Sequence, residues 1–322
     1  MTNVPQFALN DGTNMPAVGL GCWMGEPGQA DRTYNMVKKS IPVGYRHFDT
    51  ASGYGNEEAV GRAIRESGLP RNEFYITTKL INHDHGRVSE AFNKSLQALD
   101  CEYVDMYLMH WPQASSETDP SKVLPPEQSP TFVETWKDME KLLSTGKLKS
   151  IGVSNFSIKN LEILLPHCSV VPANNQVECH PCLPQHDLKA YCDSKGIILT
   201  AWGPLGRPGY GHSGPNFTTE PAFKTIAEKH NVEVAQVVLS WGVQRKTVVV
   251  PKTENETRMR TNITLTTLDQ SEMEAIDNFH KQPNTHRSLA GHDKPHGMIF
   301  GWTYEQMGWP RRNPEGIVIE TN

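Results

Sequence analysis

The chain has 322 residues, 37% hydrophobic and 21% charged, enough for one large α/β barrel or two ordinary domains. A net charge of −5 with no Lys/Arg-rich run leaves no electrostatic footprint for a nucleic-acid partner. No apolar run approaches the roughly 18 residues a membrane span needs, and no secretory leader is visible, so the expectation is a cytoplasmic protein without a membrane partner.

In chain order, two short apolar pieces, Gln6–Leu9 and Met15–Ala17, flank Asn10-Asp11-Gly12 and read as a leading hairpin. A first buried strand follows at Val18–Leu20. From there the text repeats a unit of short apolar strand, loop and amphipathic helix. The remaining strands are read at Arg46–Asp49, Phe74–Lys79, Val104–Met109, Ser150–Ser154, Asn174–Glu178, Ile197–Trp202 and Thr247–Val250. Most are continuous Val/Ile/Leu/Tyr runs, as parallel strands covered on both faces require.

The helices carry start and stop marks. Asn56 can cap a helix with Glu57 and Glu58 in its first turn and Gly68 past its end. Ser129-Pro130 reads as an N-cap with proline at the first helical position, ahead of Phe132, Val133, Trp136, Met139 and Leu143, with Gly146 as the stop. Val88, Ala91, Phe92, Ser95, Leu96 and Leu99 form another buried stripe. Eight strands alternating with helices predict a (β/α)₈ TIM barrel with an N-terminal hairpin and a long C-terminal tail. It is expected to be a single domain over 1–322, with the barrel at about 18–280 and the tail at 281–322. A doubly wound sheet competes, but its G-x-G-x-x-G fingerprint is not met at Gly19-Leu20-Gly21-Cys22-Trp23-Met24.

Six cysteines fit reduced thiols in this setting. Cys179-His180-Pro181-Cys182 has the spacing of a zinc or redox pair, but no second C-x-x-C or paired-histidine motif accompanies it, so no metal is expected.

The informative positions are the C-terminal ends of successive strands, which converge on one barrel mouth. The second strand ends in Asp49, with Tyr54 in the loop after it; the third ends in Lys79; the fourth runs into His110-Trp111. A tyrosine with a pKa of about 10 is a poor proton donor or acceptor at neutral pH. A nearby ammonium is expected to lower that value, and a carboxylate to hold the ammonium in place. Histidine can orient a carbonyl. Asp49, Lys79, Tyr54 and His110 therefore make a proton relay able to protonate an oxygen as it becomes an alkoxide.

Gly44-Tyr-Arg-His-Phe-Asp-Thr-Ala, Tyr54-Gly-Asn-Glu, Ile76-Thr-Thr-Lys, Leu108-Met-His-Trp-Pro, Ile151-Gly-Val-Ser-Asn-Phe and Val250-Pro-Lys together resemble the aldo-keto reductase superfamily, in order from about Pro5 to His280. The resemblance implies that Asp49, Tyr54, Lys79 and His110 are the catalytic tetrad, with Tyr54 the general acid, and that NADPH supplies a hydride. It places Asp49, Ser154, Asn155 and Gln176 beside the nicotinamide, with Gly21 and Trp23 near nicotinamide and substrate. Trp202 stands where a stacking tyrosine is usual, Gly203 where a serine is usual, and Leu205 by the pyrophosphate. Lys252, Thr253, Asn255 and Arg258 match the clamp on the adenosine 2′-phosphate, which favours NADPH over NADH. Asn262 matches an adenine contact, while Thr261 replaces a common glutamate.

The implied function is an NADPH-dependent reductase of aldehyde and ketone carbonyls, acting as a monomer on small molecules. Short hydroxy-aldehydes such as glyceraldehyde rank first, aldoses second and uronates third. Trp23, Tyr54, His110 and Trp111 are expected to line the substrate pocket, with Ile299, Phe300, Trp302, Trp309, His292 and Lys294 of the tail setting specificity. The alternative is an NADPH-binding regulatory or redox-sensing subunit with little turnover.

Overall fold

The computed structural model describes residues 4–206, 214–291 and 297–319. Strands β1 (Gln6–Ala8) and β2 (Asn14–Pro16) form the leading antiparallel hairpin, turned at Gly12 with Asp11 Oδ1 accepting from the Thr13 amide at 2.9 Å. The chain then alternates: β3 (Leu20–Gly21), α1 (Ala30–Val43), β4 (His47–Asp49), α2 (Glu57–Glu66), β5 (Tyr75–Leu80), α3 (Val88–Leu99), β6 (Val104–Met109), α4 (Phe132–Leu142). It continues through β7 (Leu148–Ser154), α5 (Ile158–Leu164), β8 (Asn174–Glu178), α6 (His186–Ser194), β9 (Ile198–Trp202), α7 (Pro221–His230), α8 (Val234–Gln244) and β10 (Thr247–Val250). Helices α9 (Glu256–Asn262) and α10 (Gln270–Asp277) follow, and the tail adds β11 (Met298–Ile299), β12 (Trp302–Thr303) and α11 (Tyr304–Met307).

Strands β3 to β10 lie side by side in sequence order, every pairing parallel. Val18 bridges Val249, and the Gly19 and Gly21 amides donate to the carbonyls of Val249 and Pro251, which joins the two ends. The sheet is therefore a barrel, and the doubly wound alternative is excluded. The first strand sits slightly later than expected: the ladder is formed by Leu20 and Gly21, with Val18 contributing the bridge that closes the ring.

The unbroken apolar runs have a simple cause. Alternate residues serve two cores. Tyr75, Met106, Leu108, Val248 and Val250 face inward, where Leu9 and Met15 of the hairpin plug one end. Their neighbours Ile76, Tyr107, Met109, Val153 and Val249 face outward into the layer of helices. Trp136 and Met139 of α4 are fully buried in that outer layer. The inward row carries His47 close to Gly19, where an added Cβ would stand 2.6 Å from the imidazole.

Two helix starts differ from expectation. The Asn56 side chain does not cap α2; its Nδ2 donates to the Cys22 carbonyl and to Thr33 Oγ1, and its Oδ1 accepts from Thr50. It ties three segments of the barrel rim together instead. Helix α4 begins after Thr131, whose hydroxyl accepts from the Glu134 amide while Glu134 reaches back to the Thr131 amide, a reciprocal capping box. Ser129 lies outside the helix, followed by a cis peptide to Pro130.

The tail folds back along the loop after β6. Gln113 Nε2 donates to the Ile299 carbonyl at 2.7 Å and Trp302 Nε1 to the Leu124 carbonyl at 2.7 Å. No helix among the described residues is long and apolar enough to cross a membrane.

Candidate active site

The inward row determines what faces the barrel mouth. Phe48, Ile76 and Val177 point out to the helices, so Asp49, Lys79 and Gln176 point in. Lys79 has no exposed surface, and its ammonium donates to Asp49 Oδ1 at 2.7 Å and to the Thr50 carbonyl at 2.8 Å. Across the barrel, Gln176 Nε2 donates to the other Asp49 oxygen at 2.6 Å. Each carboxylate oxygen thus has a donor, which is what permits a buried ion pair.

Tyr54 is delivered by a short 3₁₀ turn, Ser52–Tyr54, pinned to β5 because Ser52 Oγ donates to the Lys79 carbonyl at 2.9 Å. Gly55 ends the turn in the left-handed region at φ 63°. The Lys79 ammonium stands 5.1 Å from the centre of the Tyr54 ring, the His110 ring is edge-on at 5.6 Å, and the Trp23 ring lies tilted at 5.0 Å. His110 is held through its backbone, its amide donating to Leu80 and its carbonyl accepting from Asn155 Nδ2 at 2.9 Å. The structure brings Asp49, Tyr54, Lys79 and His110 together.

The electrostatics differ from the expectation in one respect. The Tyr54 phenol is raised above its ordinary value, because burial outweighs the downward pull of Lys79. By surface area the residue is only half-buried, yet the protein packs closely enough around it for desolvation to dominate. For Lys79, burial disfavours the ammonium, but the charge of Asp49 and the Tyr54 contact overcome this and raise its pKa. The pair consists of a neutral phenol beside a firmly charged ammonium.

Around this group, Ser154 Oγ donates to the Gln176 carbonyl at 2.8 Å. Asn155, at φ 63°, accepts from Trp202 Nε1 at 2.9 Å, which fixes the indole plane at the end of β9. A Cβ on Gly21 would lie 2.8 Å from the Val250 carbonyl, so the rim has no room for a side chain there. Gly203 turns the chain at φ 60° after β9, and Leu205 is half-buried just beyond.

After β10, Lys252 and Arg258 are exposed and Thr253 and Asn262 buried. Asn255 Oδ1 accepts from the Arg258 amide at 3.0 Å, starting α9. One contact here was not foreseen: Glu254 receives Arg32 of α1 at 2.6 Å and Lys252 at 2.6 Å, and these cations hold its carboxyl down at about 2.

Trp111 packs at 4.7 Å against Phe300, at the tip of the β11–β12 turn. A small cavity beside them is lined by Trp111, Asn155, Glu178, Gln185, Trp202, Ile299, Trp309 and Arg312. Trp302 is buried away from this cavity against Leu124, and His292 and Lys294 lie outside the described residues. A larger concavity of about 850 Å³ lies on the outer wall along α2 and α3 and touches none of the groups at the strand ends.

Cys179 and Cys182 flank a tight turn in which His180 and Leu183 exchange backbone hydrogen bonds. Burial pushes both thiols up, which disfavours the thiolate that metal binding or exchange requires. Among the described residues, no group of three or more His, Cys, Asp or Glu side chains is arranged to hold a metal ion.

A family model described as "Aldo/keto reductase family" matches residues 17–281. The chain is 41% identical to the glycerol 2-dehydrogenase (NADP(+)) of Saccharomyces cerevisiae over 299 residues, covering 87% of this chain and 92% of that one. It is also 41% identical to an aldehyde reductase of the same yeast over 294 residues, with the same coverage of each chain. Among solved structures, a Bombyx mori aldo-keto reductase in complex with NADP superposes with a TM-score of 0.82 at 32% identity, over 91% of this chain and 97% of that one. With its closed eight-stranded barrel and its matched span, this chain belongs to the aldo-keto reductase family.

Proposed function

We propose that this NADP-dependent aldo-keto reductase reduces short hydroxy-aldehydes first, aldoses second and uronates third, with Tyr54 as the proton donor. The observation that carries the reading is the buried Lys79–Asp49 pair set beneath the Tyr54 ring, with His110 edge-on to it. The yeast relatives, a glycerol 2-dehydrogenase and an aldehyde reductase, favour small polar carbonyls.

The residues present fit NADPH. Trp202 offers a fixed aromatic face, Gly21 leaves the rim bare, and Lys252 with Arg258 gives two cations for a phosphate. Asp49, Ser154, Asn155 and Gln176 would hold the nicotinamide end beside Gly21 and Trp23. Gly203 and Leu205 would line the pyrophosphate path. Lys252, Thr253, Asn255 and Arg258 would take the 2′-phosphate, and Asn262 the adenine. When bound, NADPH supplies the hydride that the carbonyl carbon accepts.

The chain's own groups supply the proton. A raised phenol pKa keeps Tyr54 protonated at neutral pH, so it enters the reaction as a donor rather than a base. Once the proton has left, the phenolate faces the Lys79 ammonium, which stabilises it. Asp49 keeps that ammonium charged and aimed, with Gln176 fixing the second carboxylate oxygen. His110 orients the carbonyl oxygen toward the phenol, and Trp23 and Trp111 form the walls. Barrel and tail act as one domain, 1–322, since the tail is tied to the loop after β6 through Ile299 and Trp302. All four groups come from one chain, so a monomer would suffice as the active unit.

Loss of NADPH absorbance on adding DL-glyceraldehyde tests the activity. Tyr54→Phe keeps the ring and removes the proton, so turnover should fall by roughly 10²-fold or more while NADPH affinity stays put. Substantial residual reduction would remove Tyr54 from the role of acid.

A further inference from the structure

Glu178, the last residue of β8, belongs to the inward row and is buried, yet nothing in the proton relay uses it. Its contacts run elsewhere. Oε2 accepts from Ser288 Oγ at 2.6 Å and Oε1 from the Leu289 amide at 2.6 Å, both in the tail. Oε1 also meets His180 Nε2 at 3.0 Å, and Arg312 lies 4.0 Å from Oε2. Burial alone would push this carboxyl up. His180 and then Arg312 and Ser288 reverse that and hold it at about 2, so the group is an anion.

We propose that Glu178 is the latch that fixes the tail over the barrel mouth, and so acts as a positioning residue for substrate selection. One barrel carboxylate gathers an amide, a hydroxyl and a guanidinium from tail positions more than 100 residues away in sequence. One neighbouring backbone contact extends the seam, the Arg287 amide donating to the Cys182 carbonyl, while the bridges Arg287–Ile317 and Arg312–Val318 hold the tail to itself. Arg312, which the seam holds, lines the small cavity beside Trp111 together with Trp309 and Glu178 itself. A tail freed at Glu178 loses the register that brings those side chains to the mouth. The tetrad is held by contacts that Glu178 does not make: Lys79 by Asp49 and the Thr50 carbonyl, Asp49 also by Gln176, and Tyr54 by the turn at Ser52.

The proposal rests on the reductase reading, and its test separates the two. Glu178→Ala, Glu178→Gln and Ser288→Ala are compared with the unaltered protein on glyceraldehyde and on the extended 4-nitrobenzaldehyde. In Glu178→Ala the KM for the extended aldehyde should rise on the order of tenfold, with kcat, the glyceraldehyde KM and NADPH affinity near their original values. Glu178→Gln retains one acceptor and should fall between; Ser288→Ala, at a residue that does not line the cavity, should shift the same ratio in the same direction, and no shift there would reduce Glu178 to a direct contact with substrate. Limited proteolysis should cut the tail faster in Glu178→Ala. Unchanged KM ratios with an unchanged cleavage rate would overturn the latch, as would a loss in kcat and NADPH affinity alike for every substrate. If the unaltered protein turned over no aldehyde, the reductase reading would fall, while faster tail cleavage would still uphold the latch.

Discussion

Lys79 and Tyr54 show how one residue's environment decides another's role. An ammonium beside a phenol lowers its pKa in principle, and position along β5 is enough to foresee that they meet. How deeply the phenol is desolvated depends on Trp23, His110 and the packing above them, which no local pattern encodes. That the four groups meet was therefore legible from the strand ends, and the direction of the Tyr54 shift was not. The same limit applies to Glu254, whose partner Arg32 stands 222 positions away. That contact matters for a prediction at this scale. Lys252→Ala removes a cation from the proposed phosphate clamp and leaves Glu254 paired only with Arg32. NADPH should bind roughly tenfold or more weakly, the worth of one charge-assisted hydrogen bond, while NADH changes little. Quenching of tryptophan fluorescence reads both, and equal losses would move the 2′-phosphate elsewhere.

The elements were the most legible level, and their errors have a common origin. Strand runs such as Val104–Met109 and Thr247–Val250 are recognisable because both faces are apolar and turn residues bound them. Helix starts were less secure where two cap-competent residues compete. Ser129-Pro130 carries the stronger local signature, but Thr131 has Glu134 three positions on, and the reciprocal box prevails. Asn56 was diverted from capping by partners in α1 and after β3 that its sequence neighbourhood does not reveal. The competition at α4 can be measured. Thr131→Ala should lower stability by about 1 kcal/mol, with Ser129→Ala changing it by only a few tenths. Denaturant midpoints for the two variants would settle which residue is the cap, and the reverse ranking would restore Ser129. The tail was legible only as a segment beyond the barrel, because its strands are two residues each and its ties to the barrel are long-range.

At the scale of the whole molecule, buried titratable groups set the response to pH. Burial lowers His47 to about 4 and His85 to about 3, both well below the unfolded histidine value of about 6.5. The sign follows directly: between those values the unfolded chain binds protons that the folded chain refuses. The stability from the neutral folded histidines is thus complete above about pH 6.5 and declines as pH falls toward 4. Glu178 adds a second loss, because its folded value of about 2 lies below that of an unfolded carboxylate; its contribution fades only between about pH 4.5 and 2. Each histidine accounts for on the order of 1.4 kcal/mol per pH unit within its window. Urea titrations at pH 7.5 and pH 5 should therefore show a clear drop in midpoint with an unchanged slope, and identical midpoints would contradict the neutral burial of His47 and His85.

The closure of the barrel has a consequence in time as well as in space. Val18 leaves the ribosome early, but Val249, its partner across the seam, is made roughly 230 residues later. Until then the growing sheet has an open edge at β3, whose pairing groups face solvent or whatever else is near. The short length of that strand, only Leu20 and Gly21 in the ladder, keeps the unpaired edge small during the wait. A feature that looks like a weak joint in the finished ring thus limits how much of the nascent chain can stick to another.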